Sequence, residues 1–340
     1  MKPQKINLSI IVVAYNEGRL IESCLKTLIH QHNAQDYEVL VVDDGSTDDS
    51  VHIMDAYNLR YENLKVIHKK NGGSISARFE GIRNANGKYI TFVDADDFVV
   101  SNYVETINKI TDLNKKIDLY QLNNFLKSPN STSKYIEKDF LVNNSLSMVN
   151  EFCEWILTGK TGAVWDKIYK KELFNIERDT LSIFYGEDVY INLLYLRNVN
   201  TIMMIDIPIY VHNIGSITSG SKTDGSFHKL NDIDSLFKFI KLEHASKKYL
   251  ELKAFKKFCV IYLVNIAKMS GELIHIGINR EKINYKLRQT AIINTMLNNV
   301  KPMKKSNRLY IYCLKHQHYL AINGINKIRN YIKFWSKQNA

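Results

Sequence analysis

Two short acidic clusters each follow directly on an apolar, largely β-branched run: Val41-Val42-Asp43-Asp44-Gly45-Ser46-Thr47-Asp48 and Thr91-Phe92-Val93-Asp94-Ala95-Asp96-Asp97. Such a run does not end in packed carboxylates unless they meet solvent, a cation or a polar ligand, because an unpaired buried charge is very costly. Strand C-termini in an open α/β sheet are also where ligands sit. The chemistry on offer is that of a nucleotide-and-metal pocket at one edge of a sheet. A third acidic pair, in Gly186-Glu187-Asp188, opens a helical stretch, where carboxylates also complement the macrodipole.

The elements that must position these groups are legible as alternation. Leu8–Tyr15 reads as a buried strand, and Arg19–Gln31 carries Leu20, Ile21, Cys24, Leu25 and Leu28 at a helical period. Tyr37–Val42 is a second strand, after which Ser46, Thr47 and Asp48 offer helix caps. Leu64–His68 is a third strand, and Asn71-Gly72-Gly73-Ser74 is a turn opening a helix through about Asn84. Asn86-Gly87 is a tight turn before a fourth strand, Tyr89–Val93. Strand and helix alternating at this spacing predict βαβ units and a mainly parallel sheet. Further on, helices are expected over Ser101–Leu113, Leu146–Leu157 and Asp188–Leu196. A strand is expected over Ile117–Asn123, a polar loop over Ser128–Ser133, and an extended segment over Thr201–Val211.

Taken together, Ser9-Ile10-Ile11-Val12-Val13-Ala14-Tyr15-Asn16, Val42-Asp43-Asp44-Gly45-Ser46-Thr47-Asp48, Asn71-Gly72-Gly73 with Ala77-Arg78, Gly81 and Ala85-Asn86-Gly87-Lys88-Tyr89-Ile90, and the DXD-type Asp94-Ala95-Asp96-Asp97 resemble family 2 glycosyltransferases of the GT-A fold, bacterial surface-polysaccharide type. Order and spacing both agree. The resemblance is dense over about residues 6–100, thinner to about 220 and absent beyond.

The resemblance implies roles residue by residue. Val13 and Tyr15 line a uracil site, Asp44 accepts from the uracil ring N–H, and Arg78 lies by the base or the diphosphate. Asp94 faces the ribose, with Ala95 beside it in the nucleotide site. Asp96 ligates Mn²⁺ or Mg²⁺, hard cations that suit oxygen ligands and bridge diphosphate oxygens. Asp43 is a turn residue rather than a contact. Asp188 matches the family's base position, which takes a proton from an acceptor hydroxyl in an inverting transfer, and Glu187 is structural beside it on the acceptor side. Tyr210-Val211-His212-Asn213-Ile214-Gly215-Ser216-Ile217-Thr218 is similar to the family's loop after the sheet, so His212 is a candidate for the diphosphate or the metal shell. Gly215–Ser226 has the composition of a lid that closes on donor. Trp165-Asp166-Lys167 belongs on the acceptor side, where Trp165 either stacks on a sugar or packs in the core. One position departs from the family pattern: Phe79 stands where Asn often follows the arginine, which bears on the polar network around Arg78 and not on the fold.

Composition bounds the rest. The 340 residues are 45% apolar and 24% charged, as in a soluble globular protein. No apolar run reaches the roughly 20 residues that span a bilayer. The N-terminal apolar run is followed by Asn16-Glu17-Gly18-Arg19 and not by a small-residue cleavage site, so a cytoplasmic protein is expected. Cys24, Cys153, Cys259 and Cys313 are scattered, against structural zinc or a disulfide framework. The net charge of +11 is uneven: residues 1–228 carry 24 Lys/Arg against 29 Asp/Glu, and residues 229–340 carry 22 against 6. We therefore expect a GT-A domain over 1–228, divided into a nucleotide half (1–100) and an acceptor half (101–228), and a basic helical domain over 229–340.

In that second domain, helices are expected over Leu230–Leu242, Ala254–Leu273, Asn284–Leu297 and Asn307–Trp335, with basic residues alternating with aromatics. Contact with an anionic membrane surface, a plain bundle with a solvated lysine face, and a homo-oligomer contact are three compatible readings. No nucleic-acid-binding signature accompanies the charge. The expected activity is transfer of a single sugar from a UDP-sugar donor to a glycan acceptor, lipid-linked in one version, for the cell surface or capsule. The absence of a Gln-x-x-Arg-Trp box favours single addition over polymerisation. Its rivals are a glycoprotein acceptor, and an inactive GT-A-like domain that binds glycan or scaffolds a complex.

Overall fold

The computed structural model describes residues 6–128, 131–134, 146–157, 159–176, 183, 185–213, 227–245, 252–275, 278–289, 305–322 and 325. The chain divides into two compact units, Met1–Ile156 with Thr161–Lys222, and Leu157–Lys160 with Thr223–Ala340.

The first unit begins β1 (Leu8–Ala14), α1 (Leu20–Ile29), β2 (Tyr37–Asp43), α2 (Ser50–Arg60), β3 (Leu64–His68), α3 (Ser74–Asn84) and β4 (Tyr89–Asp94). It continues with β5 (Phe98–Val99), α4 (Tyr103–Leu113), β6 (Leu119–Ser128), β7 (Ser131–Lys134), α5 (Leu146–Leu157), β8 (Lys167–Lys170), α6 (Glu187–Leu196) and β9 (Ile202–Asn213). One sheet has the order β3-β2-β1-β4-β8-β6-β9-β5, with β7 paired to β6. Strands β1 to β4 pair in parallel. β8 runs antiparallel between β4 and β6, so β6 and its parallel neighbour β9 share the direction of β4. The expected α/β architecture, a sheet flanked by helices and followed by a helical region, is the one observed, with a sheet that is parallel over β1 to β4 and mixed beyond.

Alternation along β1 explains its two-sided burial. Leu8, Ile10, Val12 and Ala14 join a core with Ile21, Cys24, Leu25 and Leu28 of α1 and with Tyr103, Val104, Ile107 and Ile110 of α4. The i, i+3, i+4, i+7 spacing in α1 gives that helix a single apolar stripe. Ile11 points to the opposite face, against Gly81 of α3. Fully burying each such aliphatic side chain contributes about 1.5–3 kcal/mol.

Two expectations need correction. Ser128–Ser133 is not all loop: β6 extends through Ser128, and Ser131–Lys134 pairs with it antiparallel. The Ser-Thr-Ser-Lys stretch shows no apolar alternation, and the strand there is made by backbone pairing, which any such residue supplies. The short strands β5 and β8 carried too few residues to display a period. The helix expected over Asn307–Trp335 is instead interrupted after α10 (Lys305–Lys315), with helical residues again at 319–322. There, His318 N–H donates to Cys313 C=O (2.8 Å) and Gln317 N–H to Leu314 C=O (3.2 Å), with Gln317 at φ +59°. This is a Schellman cap, in which a left-handed residue closes the helix by satisfying its last carbonyls.

The second unit also contains α7 (Phe227–Ala245), α8 (Leu252–His275) and α9 (Arg280–Gln289). Phe237 of α7 packs on Phe258 and Tyr262 of α8. The expected helix over Asn284–Leu297 is described only to Gln289. Its remainder, the expected lid Gly215–Ser226, and Tyr331, Phe334 and Trp335 lie outside the described residues. Among the described residues no helix is long and apolar enough to cross a membrane.

Candidate active site at the sheet edge

The parallel register gathers the motifs. Val13 stands between Val42 and Asp94, and Ala14 beside Asp43. The two loops that follow β1 and β2 are tied together: Asn16 N–H donates to Ser46 Oγ (3.0 Å), and Thr47 N–H to Asn16 Oδ1 (2.8 Å). Gly18 N–H donates to Asp48 Oδ2 (3.0 Å), whose other oxygen receives Ser50 N–H (3.0 Å) at the start of α2. Those bonds outweigh desolvation and hold the Asp48 carboxyl below its usual range. Tyr15, at the rim, is exposed.

Asp43 serves the turn, as its position suggested. It accepts Ser46 N–H (2.9 Å) and pairs with His68 Nδ1 (2.8 Å), while His68 Nε2 reaches Asp55 (3.0 Å). These two carboxylates raise the His68 pKa. Asp44 is buried and takes three donors: Lys69 Nζ (2.6 Å) and Gly72 N–H (2.9 Å) on Oδ1, and Gly73 N–H (2.7 Å) on Oδ2. A carboxylate has about four acceptor positions, so Oδ2 keeps capacity for one further donor. Gly45 is required directly after the two aspartates. Its φ is +80°, and a Cβ there would stand 2.8 Å from the Asn71 nitrogen.

Across the edge, Arg78 gathers three carboxylates. Its Nη2 donates to Asp94 Oδ1 (3.1 Å), its Nη1 lies 2.9 Å from Asp188 Oδ1, and Glu187 Oε1 is 3.8 Å away. The guanidinium is buried, and Nε has no hydrogen-bond partner. Burial would lower its pKa, but Asp188, Asp94 and Glu187 together raise it. Desolvation dominates for two of the carboxyls. Asp94 is pushed up to about 7 against the pull of Arg78, and Glu187 to about 7 with Asp188 adding to the rise. Gly186, left-handed at φ +82°, turns the chain so that α6 begins with these two acids. The polar network around Arg78 thus exists despite Phe79, which is buried in the core; β4 and α6 supply it.

The residues expected to hold a metal lie by the end of β9. Asp97, next to Asp96, accepts from Tyr210 Oη (2.6 Å), His212 Nδ1 (3.2 Å) and Asn213 N–H (2.7 Å). Asn213 Nδ2 donates to the Asp96 carbonyl (3.1 Å). The bond to Asp97 raises the His212 pKa. Trp165 stacks on Tyr210 (4.5 Å between centroids, 14° between planes) and on His212 (5.3 Å, 14°), so one indole face is already occupied by protein. The next residues are fixed by Lys167, a fully buried ammonium that donates to Asp166 Oδ1 (2.7 Å), Thr161 C=O (2.9 Å) and Ala163 C=O. Burial lowers its pKa.

Among the described residues no three His, Cys, Asp or Glu side chains form a closed metal cage. A carboxylate and an imidazole at one end of the sheet fit a divalent cation of the kind that takes its remaining ligands from substrate phosphates and water. The imidazole suits Mn²⁺ better than Mg²⁺, which prefers oxygen throughout.

The structure therefore places Val13, Asp44, Arg78, Asp94, Ala95, Asp96, Glu187, Asp188, Trp165 and His212 around one edge, with Tyr15 on its rim. Sequence reasoning missed Asp97, Tyr210 and Lys69. Asp97 carried a signal, being the fourth residue of the acidic tip, but was overshadowed by its neighbour. Lys69 had none beyond lying three residues before a glycine pair.

Comparison with known proteins points to one family. Residues 9–178 match the model of glycosyl transferase family 2, half of the chain. EpsJ of Bacillus subtilis, described as an uncharacterized glycosyltransferase, is 33% identical over 220 residues, covering 62% of each chain. The glycosyltransferase GlyG of Streptococcus pneumoniae is 29% identical over 62% of this chain and 72% of its own. The chain thus matches somewhat under two thirds of EpsJ and somewhat over two thirds of GlyG. The crystal structure of S. aureus TarS residues 1–349 in complex with UDP-GlcNAc superposes with a TM-score of 0.54 at 20% identity, over 86% of this chain and 90% of that one. That likeness concerns the fold. With the motifs gathered at one sheet edge and half the chain matched by the family model, this protein belongs to glycosyl transferase family 2.

Proposed function

We propose that the protein is a metal-dependent, inverting glycosyltransferase that moves one sugar from a UDP-sugar to a hydroxyl of a glycan acceptor in surface-polysaccharide synthesis. One observation carries this reading: Arg78 ties the donor-side Asp94 directly to Asp188 at the start of α6. Donor and acceptor machinery therefore share one electrostatic centre. UDP-GlcNAc bound to TarS supports a UDP-sugar donor. The Poly(ribitol-phosphate) beta-glucosyltransferase of Bacillus spizizenii, 41% identical over 99 residues, supports a surface-polymer acceptor.

In this reading Val13, Tyr15 and the last acceptor position of Asp44 receive uracil, and Asp94 faces the ribose. Asp96 and His212 would hold the cation, which when bound offsets the charge building on the departing diphosphate. Asp188 accepts the proton of the attacking hydroxyl, and Glu187 shapes the field around it. The inverting displacement needs no covalent intermediate. The described lysines and aromatics of the second unit suit an acceptor presented at the anionic inner face of the membrane.

The test is a panel of UDP-sugars scored for UDP release with and without EDTA, in wild type and Asp188→Asn. Release that needs added Mn²⁺ and is lost in the variant supports the proposal. Release by no sugar, with UDP still bound, would favour a non-catalytic glycan-binding role.

A further inference from the structure

Asp97 is fully buried at the acidic tip, and every hydrogen bond described for its side chain comes from the end of β9. Tyr210 Oη reaches Oδ2 at 2.6 Å and His212 Nδ1 reaches the same oxygen at 3.2 Å, while Asn213 N–H takes Oδ1 at 2.7 Å. Tyr210 Oη in turn accepts the Asp94 backbone N–H (3.1 Å). The tip and the end of β9 are thus laced by bonds running both ways.

This lacing fixes one ring. An ionised carboxylate only accepts hydrogen bonds, so the proton of a neutral His212 sits on Nδ1 and Nε2 keeps its lone pair. Trp165, stacked at 14° to the imidazole, sets the plane of the ring, and Asp97 sets its rotation within that plane. Plane and rotation together determine where Nε2 points.

We propose that Asp97 is a positioning residue. It fixes the tautomer and orientation of His212, so that Nε2 is presented to a divalent cation beside Asp96. The inference rests on the metal-and-diphosphate reading above and adds to it a residue that touches neither metal nor donor. Outer-layer carboxylates on ligating histidines commonly change metal affinity by about 10–100-fold.

The experiment titrates Mn²⁺ into the full-length protein with saturating UDP, by calorimetry, for wild type, Asp97→Asn, His212→Gln and the double variant. In parallel, ¹⁵N spectra of histidine-labelled protein, assigned with His212→Gln, read the tautomer of His212 in wild type. The asparagine keeps the size but turns an N–H toward Nδ1, which favours the other tautomer. We expect a loss of roughly 10–100-fold for Asp97→Asn, no further loss when it is added to His212→Gln, and an Nδ1–H signal in wild type. Additive losses in the double variant, or an Nε2–H tautomer in wild type, would overturn the proposal. Absence of Mn²⁺ binding by wild type, together with UDP, would instead sink the metal reading; the wild-type spectrum would then still decide whether Asp97 sets the ring. That spectrum also decides if Asp97→Asn fails to fold.

Discussion

Arg78 Nη1 lies 2.9 Å from the carboxylate of Asp188, although the two residues sit on different helices and are separated by more than a hundred positions. The same guanidinium holds Asp94 at 3.1 Å. The candidate base is therefore braced by the proposed donor side of the site before any acceptor arrives. Loss of Asp188 should act on the chemical step rather than on donor binding.

For Asp188→Asn we expect kcat to fall by about 10²–10⁴-fold, the usual contribution of a general base, while UDP affinity stays within a few-fold. Initial rates and calorimetry on the same preparation check this. An equal fall in UDP affinity would place Asp188 in the donor site instead.

Asp96→Ala is expected to abolish the Mn²⁺-dependent part of UDP binding and leave thermal stability near wild type. The side chain is only partly buried, and the bond that ties its residue to Asn213 uses the backbone carbonyl. UDP affinity that still rises with Mn²⁺ in the variant would contradict the assignment.

Lys69→Met tests the floor of the proposed uracil pocket. Lys69 Nζ is one of three donors on the buried Asp44 carboxylate. Removing it leaves that carboxylate underpaired, at a cost of about 1–3 kcal/mol, and should raise KM for the donor more than it lowers kcat. Chemical denaturation and donor kinetics read the two effects separately.

Glu187 gives a pH signature. Its folded-state pKa is raised to about 7 from an ordinary value of 4.5, chiefly by burial. Between those values the unfolded chain has released a proton that the folded protein keeps, so this group's contribution to stability falls as pH rises toward 7. Glu187→Gln should remove that slope: the difference in Tm, variant minus wild type, should grow more positive from pH 5 to pH 8. A difference that does not change with pH would mean that Glu187 is ionised throughout.

The nucleotide half was legible because its signals are local. β1, β2 and β4 carry apolar runs of ordinary length, and each acidic cluster sits within a residue or two of the end of β2 or β4, so alternation alone places it on the edge. The parts that were not legible are those decided by long-range pairing. β8 is four residues long and gains its identity from β4 and β6. The end of α10 rests on a glutamine in the left-handed region, where a glycine would have announced the stop. Asp97 and Tyr210 are 113 positions apart, and neither residue type by itself signals that they meet.

The insertion of β8 between β4 and β6 bears on how the molecule matures. While the first hundred residues leave the ribosome, β4 has β1 on one flank and a bare edge on the other, open to wrong partners. That edge closes only when Tyr169 and Lys170 emerge, some eighty residues later, to pair with Ile90 and Tyr89. Pairing over such a separation is intrinsically slow. The amino-terminal part must wait for its own later sequence, and a nascent chain stalled near residue 120 would be the species most in need of a chaperone.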